Sequence, residues 1–274
     1  MPEKKYSISE MADLLGVTTH MLRHYEKLGI IQPEVNPENG YRFYSVLDTR
    51  RFNLSREFLA CGIPLEQCAQ IMGDMDGETA GELFAAGIQK QRRQLELSRI
   101  AIRFLEHMKG DFVHVPERVN RVWAENLRPM WRLNVSQNEK TILTDRQREQ
   151  REEWLSCLPA VYWTSRIRRA TLRQFGSGPI DYEYGLMCYE EDARALGLER
   201  TEDVEAIPGG DYLVTVHDKR DRGPFTWENL GALTAYIRSE GVSLYGDAFS
   251  HILCSRVEAG MIVNYHRVFM KIFS

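Results

Sequence analysis

The sequence has no apolar run of about 18 residues of the kind a membrane-spanning helix needs. Its opening, MPEKKYSISE, also lacks the apolar stretch of a secretory signal, so the chain is expected in the cytoplasm with no membrane partner. Disulfide and metal frameworks are missing too. Cys61, Cys68, Cys157, Cys188 and Cys254 are odd in number and scattered, with no CxxC pair and no Cys/His cluster. In a reducing compartment that pattern excludes a disulfide scaffold, and each cysteine reads as a small buried hydrophobe. No Ser/His/Asp arrangement, phosphate loop or metal motif stands out, so no cofactor is expected and catalysis is a secondary reading. An excess of positive charge is absent as well: 35 Lys and Arg stand against 39 Asp and Glu, a net charge of −4. A nucleic-acid partner therefore requires one localised basic patch on an otherwise acidic molecule.

What is present suffices for two cores and a connecting element, in 274 residues of which 43% are hydrophobic. In YSISEMADLLGVTTHMLRHYEKLGII, Ser7 or Ser9 can cap a short helix carrying Met11, Leu14 and Leu15, which Gly16 ends. Thr18 then caps a second helix, where Met21, Leu22, Tyr25 and Leu28 recur at three- and four-residue spacing and Gly29 closes the element. Two short helices separated by a tight turn make a helix-turn-helix, with the second offered to the major groove. Its outer side carries Thr19, His20, Arg23, His24 and Lys27. Arg23 leads this set because its fork can hold a phosphate, or guanine N7 and O6, through two hydrogen bonds.

The stretch IIQPEVNPENGYRFYS adds a β-hairpin wing, with Asn39-Gly40 as the turn and residues 41–44 as the returning strand. Alternation places Tyr41 and Phe43 on one face and Arg42 and Tyr44 on the other, so one face can pack while Arg42 and Tyr44 address phosphates. Tyr41 joins the candidate DNA-facing residues. The order of elements and the residues LRHYEKLGII…NGYRFYS resemble the MerR family of regulators over about the first 110 residues. The family commonly has Tyr where this chain has His24. The resemblance implies that Arg23, His24, Tyr25 and Arg42 face DNA, while the spacing alone also allows Tyr25 to be core.

In residues 45–73, Ser45 or Asp48 starts a helix that Cys61-Gly62 ends, and Pro64 opens the next. Arg50 and Arg51 either add phosphate contacts or serve solubility. From Phe84, the residues Ile88, Gln91, Leu95, Ser98, Ile102 and Leu105 follow alternating four- and three-residue steps, the seam of a short coiled coil. A helix here can also pack on its own domain. The resemblance implies an antiparallel helix pair that joins a homodimer and sets two readers on pseudo-palindromic promoter DNA.

Beyond Lys109-Gly110, RPMWRLNV, YEYGLMCY, GDYLVTVH and MIVNYHRVFMKIF read as strands. EEWLSCL and FTWENLGALTAYIRSEG read as helices, with Asp221 to Thr226 as loop and cap before the latter. The fold expected is α+β: an all-α winged helix-turn-helix in residues 1–76, a coiled-coil helix in 77–110, and an α+β antiparallel-sheet ligand-binding domain in 115–274. The run from AIPGGDYLVTVHDK to HRVFMKIFS resembles the gyrase-inhibitor-like effector-binding domain found behind many MerR-type readers, through the GGDYLVTVH strand, the following helix, a Gly-Asp turn and the terminal strand.

That resemblance implies a cleft between two halves of the sheet. Trp131, Tyr182, Tyr184, Tyr189, Trp227, Tyr245 and Tyr265 are its candidate aromatic walls, each of which can instead be core. Multidrug sensors of this type place a buried carboxylate beside the wall. This chain has Ser250 where that glutamate is expected, so Glu183 or Asp247 would have to supply the charge, and a neutral or amphipathic aromatic effector stays open. The family's usual switch bends and untwists an over-long promoter spacer so that RNA polymerase engages both elements. Two rivals remain: a small-molecule hydrolase or binding module fused to the reader, and a metal sensor, which HMKGDFVHVPERV disfavours because it has no cysteine.

Overall fold

The computed structural model describes residues 4–137, 140–141, 143–173, 180–220 and 225–272. The chain divides into two compact units, residues 1–94 and 95–274.

The first unit opens with β1 (Tyr6–Ser7), α1 (Ile8–Leu15) and α2 (Thr19–Lys27). Ser7 and Glu10 form a reciprocal capping box, and Gly16 ends α1 in the left-handed region at φ 65°. Thr18 caps α2 by accepting from the Met21 N–H at 3.2 Å. The wing is β2 (Glu34–Val35) and β3 (Arg42–Tyr44), and β1 pairs with the other edge of β3 to make a three-stranded sheet. The helices α3 (Val46–Ala60) and α4 (Leu65–Ile71) follow, α3 beginning at a second capping box between Ser45 and Asp48. Met11, Leu22, Tyr25, Ile30, Ile31, Tyr44 and Phe52 form the core, with the Tyr25 and Phe52 rings 4.6 Å apart. Leu14, expected to pack, is exposed.

Helix α5 (Gly77–Arg118) runs past Lys109-Gly110, where the sequence pattern suggested an end. A helical glycine costs about 1 kcal/mol, and that is outweighed where Val115, one turn on, is fully buried against Val216, Cys254, Val263 and Tyr265. Along this helix Ile88, Leu95, Ile102 and Leu105 are each more than half exposed. Two expected seam positions are engaged elsewhere: the Phe84 ring packs at a tilt against Phe58, centroids 5.5 Å apart, and Gln91 Nε2 donates to the Cys61 carbonyl at 2.8 Å.

The second unit is built on β4 (Val122–Leu127), β5 (Met130–Gln137), β6 (Lys140–Thr141), β7 (Tyr162–Ile167), β8 (Glu183–Tyr189), β9 (Val204–Ile207), β10 (Gly210–Lys219), β11 (Leu244–Glu258) and β12 (Met261–Ile272). Their order is β4-β10-β12-β11-β7-β8-β5-β6, with β9 also on β5. The four strands read from sequence are β5, β8, β10 and β12. Those not read, β4, β6, β7, β9 and β11, are either only two residues long or carry polar residues among their apolar ones, and the expected Gly-Asp turn lies inside β11 as a register shift between Leu244 and Ala248.

One face of the sheet is covered by helices. On one half α6 (Asp145–Leu155) and α8 (Glu190–Ala195) bury Trp131, Leu133, Leu186 and Cys188 with Trp154 and Ala193. On the other, α7 (Arg169–Leu172) and α9 (Gly231–Glu240) bury Leu213, Val268 and Met270 with Leu172, Leu233 and Ile237. The expected EEWLSCL helix starts earlier, at the Thr144–Gln147 capping box. Of the loop expected before α9, residues 221–224 lie outside the described residues, and Thr226 forms a capping box with Asn229 ahead of the 3-10 turn Trp227–Leu230.

Candidate functional site

In the first unit the outer side of α2 presents Thr19, His20, Arg23, His24 and Lys27 to solvent, and Arg50 on α3 is exposed as well. Arg42 on the wing is exposed, yet its Nε donates to both carboxylate oxygens of Glu26 on α2, at 2.9 and 3.1 Å. Glu26, absent from the residues singled out in the sequence, thus links wing and helix. Tyr41 is 68% exposed.

Three expected DNA-facing residues are placed otherwise. Tyr25 is 1% exposed and Tyr44 is fully enclosed, and the hydroxyl of each is buried with no hydrogen-bond partner among the described residues. Burial pushes both phenols above their ordinary range. Tyr44 lies opposite Tyr6 of β1, so β3 is a central strand there and alternation turns Tyr44, not Phe43, fully into the core. Arg51 donates from Nε to the Ile30 carbonyl at 2.6 Å, tying down the turn after α2.

In the second unit a cavity of about 880 Å³ opens on the sheet face that α6 to α9 leave uncovered. Register builds it. His251 stands opposite Arg267, Arg267 opposite Val216, and Trp123 opposite Val214, which share one face because every second residue returns to it. Tyr162 and Tyr189 reach the same face from the other half, both through Met187 or its neighbour two residues on. The C-terminal half of α5, with Phe104, His107 and Asp111, closes the side opposite the sheet.

Of the nine residues expected to bind an effector, only Tyr189 lines this cavity. Trp131 and Tyr184 point by register to the helix-covered face, Trp131 as core and Tyr184 stacked on Trp163 at 5.0 Å and 8°. Tyr182 and Trp227 pack against the α7–α9 cluster, and Tyr245 is exposed. Tyr265 is buried beneath Val115 and its hydroxyl donates to Glu258. Glu183 is enclosed by the Arg166 guanidinium and accepts from Arg168 Nε at 2.8 Å. Burial opposes its charge, but the two arginines prevail and hold the carboxyl below its ordinary value. Asp247 accepts from the Arg169 N–H at 2.7 Å. Trp123, Glu125, Tyr162, His251 and Arg267 were not legible as a group, because only the pairing of five strands brings them together.

The cavity's charges are largely committed. Glu125 receives Arg267 Nη2 at 2.7 Å and the Trp123 indole N–H at 3.1 Å. Arg103 pairs with Asp192 at 2.6 Å and Arg118 with Asp111 at 2.8 Å. Arg128 lies 4.2 Å over the Tyr189 ring. Burial, with Arg267 and His266 adding repulsion, pushes His251 down to about 3, so its imidazole is neutral. Among the described residues no group of three or more His, Cys, Asp or Glu is arranged to hold a metal.

Unit one is thus a winged helix-turn-helix with a basic exposed helix, the architecture of a DNA-binding regulator. The family profile of MerR family regulatory proteins matches residues 7–44. The chain is 33% identical over 106 residues to a probable heavy metal-dependent transcriptional regulator of Haemophilus influenzae, across 37% of this chain and 83% of that one. This chain belongs to the MerR family. It is also 30% identical to the multidrug-efflux transporter 1 regulator of Bacillus subtilis over 122 residues, 44% of this chain and 41% of that one. For the multidrug-efflux transporter 2 regulator of the same organism the identity is 34% over 65 residues, 24% of each chain. The chain therefore spans less than half of either multidrug regulator. A solved EcmrR–DNA complex is similar with a TM-score of 0.36 and 15% identity, across 97% of this chain and 100% of that one.

Proposed function

We propose that the protein is a homodimeric transcription regulator in which a small aromatic effector, bound in the cavity of the second unit, changes how two winged helix-turn-helix readers hold promoter DNA. The carrying observation is the cavity itself: about 880 Å³, walled by Trp123, Tyr162 and Tyr189 on the sheet face that α6 to α9 leave uncovered, within the size that accommodates drug-sized molecules. The relatives that regulate multidrug-efflux transporters support a small-molecule signal, and we read the domain carrying the cavity as gyrase-inhibitor-like from its sequence resemblance.

Dimerisation through α5 follows from its exposed Ile88, Leu95, Ile102 and Leu105, an apolar stripe that one protomer leaves in water. Two readers then add their contacts on a pseudo-palindromic site. An effector that favours one arrangement of the dimer shifts its population. Because deforming a promoter costs several kcal/mol, small changes in reader spacing decide whether RNA polymerase engages both promoter elements. No catalytic step is assigned to the cavity: its neutral histidine faces an arginine that is already paired.

The test is fluorescence anisotropy of the full chain on DNA from its own promoter region, with and without aromatic compounds, alongside in vitro transcription. Operator binding that Arg23→Ala abolishes, together with a compound-dependent change in transcript yield, is the expected result. A chain that binds DNA but whose transcription answers no compound would retain the reader and remove the sensor.

A further inference from the structure

The cavity's chemistry bears on the charge of what enters it, an inference that rests on the cavity being the effector site. A ligand that fills this space strips water from the walls, so each polar group must meet either the protein or the ligand. On the acidic side little is left to meet a cation. Glu125, at the floor, accepts from both Arg267 and Trp123, while Asp192 and Asp111 are each held by an arginine. Glu106, the remaining lining carboxylate, is on the exposed surface of α5.

Five arginines line the cavity against four carboxylates, but Arg103, Arg118 and Arg267 are matched by three of those carboxylates. Arg128 is paired with Glu191, which is not a lining residue, and the side chain of Arg121 makes no hydrogen bond or ion pair among the described residues. The floor is also short of acceptors. Arg267 Nε and His251 Nδ1 are both enclosed without a partner. The Tyr162 hydroxyl has only the Met130 sulfur, at 3.8 Å, a weak acceptor. Tyr162 and His251 lie ring to ring at 5.0 Å, and His251 stands directly across the strand pair from Arg267.

We propose that the effector is an aromatic acid whose carboxylate is received by Arg267, His251 and Tyr162 and whose ring lies against Trp123 and Tyr189. A carboxylate can accept from the N–H groups of Arg267 that Glu125 does not use. It also fills the acceptor deficit of this floor, whereas an ammonium or phosphonium group would face Arg267 with no free carboxylate beside it.

Isothermal titration of the full-length protein near neutral pH with three probes that share one ring system, naphthoate, naphthamide and naphthylmethylammonium, separates the cases. Naphthoate should bind at least about tenfold tighter than the isosteric amide, and the cation should be weakest. Arg267→Gln should abolish the preference of acid over amide while amide binding persists, and Arg267→Lys should restore part of it. Because Arg267 also pairs with Glu125, the wild-type comparison stands by itself if a variant fails to fold. Tighter binding of the cation or the amide, lost on Trp123→Ala, would overturn the assignment of an acid while keeping the cavity as effector site. No binding of any probe would overturn both.

Discussion

Arg42 on the wing and Glu26 on α2 are joined through both carboxylate oxygens at 2.9 and 3.1 Å, so the residue expected to grip a phosphate is pre-held by an acid on the recognition helix. The hydrogen bonds that Arg42 donates to Glu26 keep its guanidinium pKa above the ordinary value. An exposed pair of this kind adds little to stability. Its effect falls on DNA binding, where Glu26 both aims the arginine and repels the backbone. Arg42→Ala should weaken operator binding and lower the slope of log K against log salt by about 1, whereas Glu26→Gln should tighten binding at low salt. Anisotropy titrations across a salt series read both. A Glu26→Gln variant that binds less tightly than wild type would show that aiming outweighs repulsion.

The tyrosines Tyr25 and Tyr44 lead to a second prediction of opposite character. Both were expected at the DNA face, yet their hydroxyls are enclosed and unpartnered. Removing an unsatisfied buried hydroxyl costs nothing in hydrogen bonding and can stabilise by up to about 1 kcal/mol. Tyr44→Phe and Tyr25→Phe should therefore leave urea midpoints unchanged or raised and operator affinity intact, while Tyr44→Ala should cost about 3–5 kcal/mol through the cavity it leaves. Loss of affinity in either phenylalanine variant would return that hydroxyl to the DNA contact set.

What could be read from the sequence follows from how local each signal is. The caps at Ser7, Thr18 and Ser45 and the glycine stop at Gly16 act within three or four residues, and the helices of the reader begin or end there. The orientation of Tyr44 depends on β1, which pairs with β3 from 38 residues earlier in the chain. The cavity is further still from local control. Trp123, Tyr162, His251 and Arg267 meet only through the antiparallel pairing of β4, β10, β12, β11 and β7, and a shift of one residue in any register would move a side chain to the opposite face. Aromatics that stood out in sequence, such as Trp131 and Tyr184, fell on the helix-covered face for that same reason.

A third prediction concerns α5. Leu95 and Ile102 are more than half exposed in the protomer, so a charge there should spare the fold of each unit and remove only the helix pairing. Leu95→Glu combined with Ile102→Glu should give a monomer by analytical ultracentrifugation, with the thermal transition of the second unit retained and operator affinity reduced at least about tenfold as one half-site is lost. A dimer that survives both charges would mean that a different surface joins the protomers.

Acid should act on the second unit through histidines on the helix-covered face. His217 is buried, neither ring nitrogen has a partner among the described residues, and its ring stacks on His266 at 5.0 Å and 3°. Burial lowers His217 from 6.5 to about 4, only partly offset by Asp218, and burial together with His217 itself lowers His266 to about 4. A depressed histidine binds its proton more weakly folded than unfolded. Between pH 6.5 and about 4 the unfolded chain therefore takes up more protons, and stability fully present above 6.5 is lost as the pH falls to about 4. At about 1.4 kcal/mol per pH unit, His217 alone contributes on the order of 3 kcal/mol to that loss. Thermal melts of the full chain from pH 7.5 to 4 should show the transition of the second unit falling through this window. His217→Phe should flatten the fall and raise the melting temperature at the acid end, because a ring of similar breadth then stacks on His266 with no proton to accept. A His217→Phe profile parallel to wild type would assign the acid sensitivity to other groups, His251 first among them, since burial lowers it from 6.5 to about 3 and its contribution is lost over the same fall in pH.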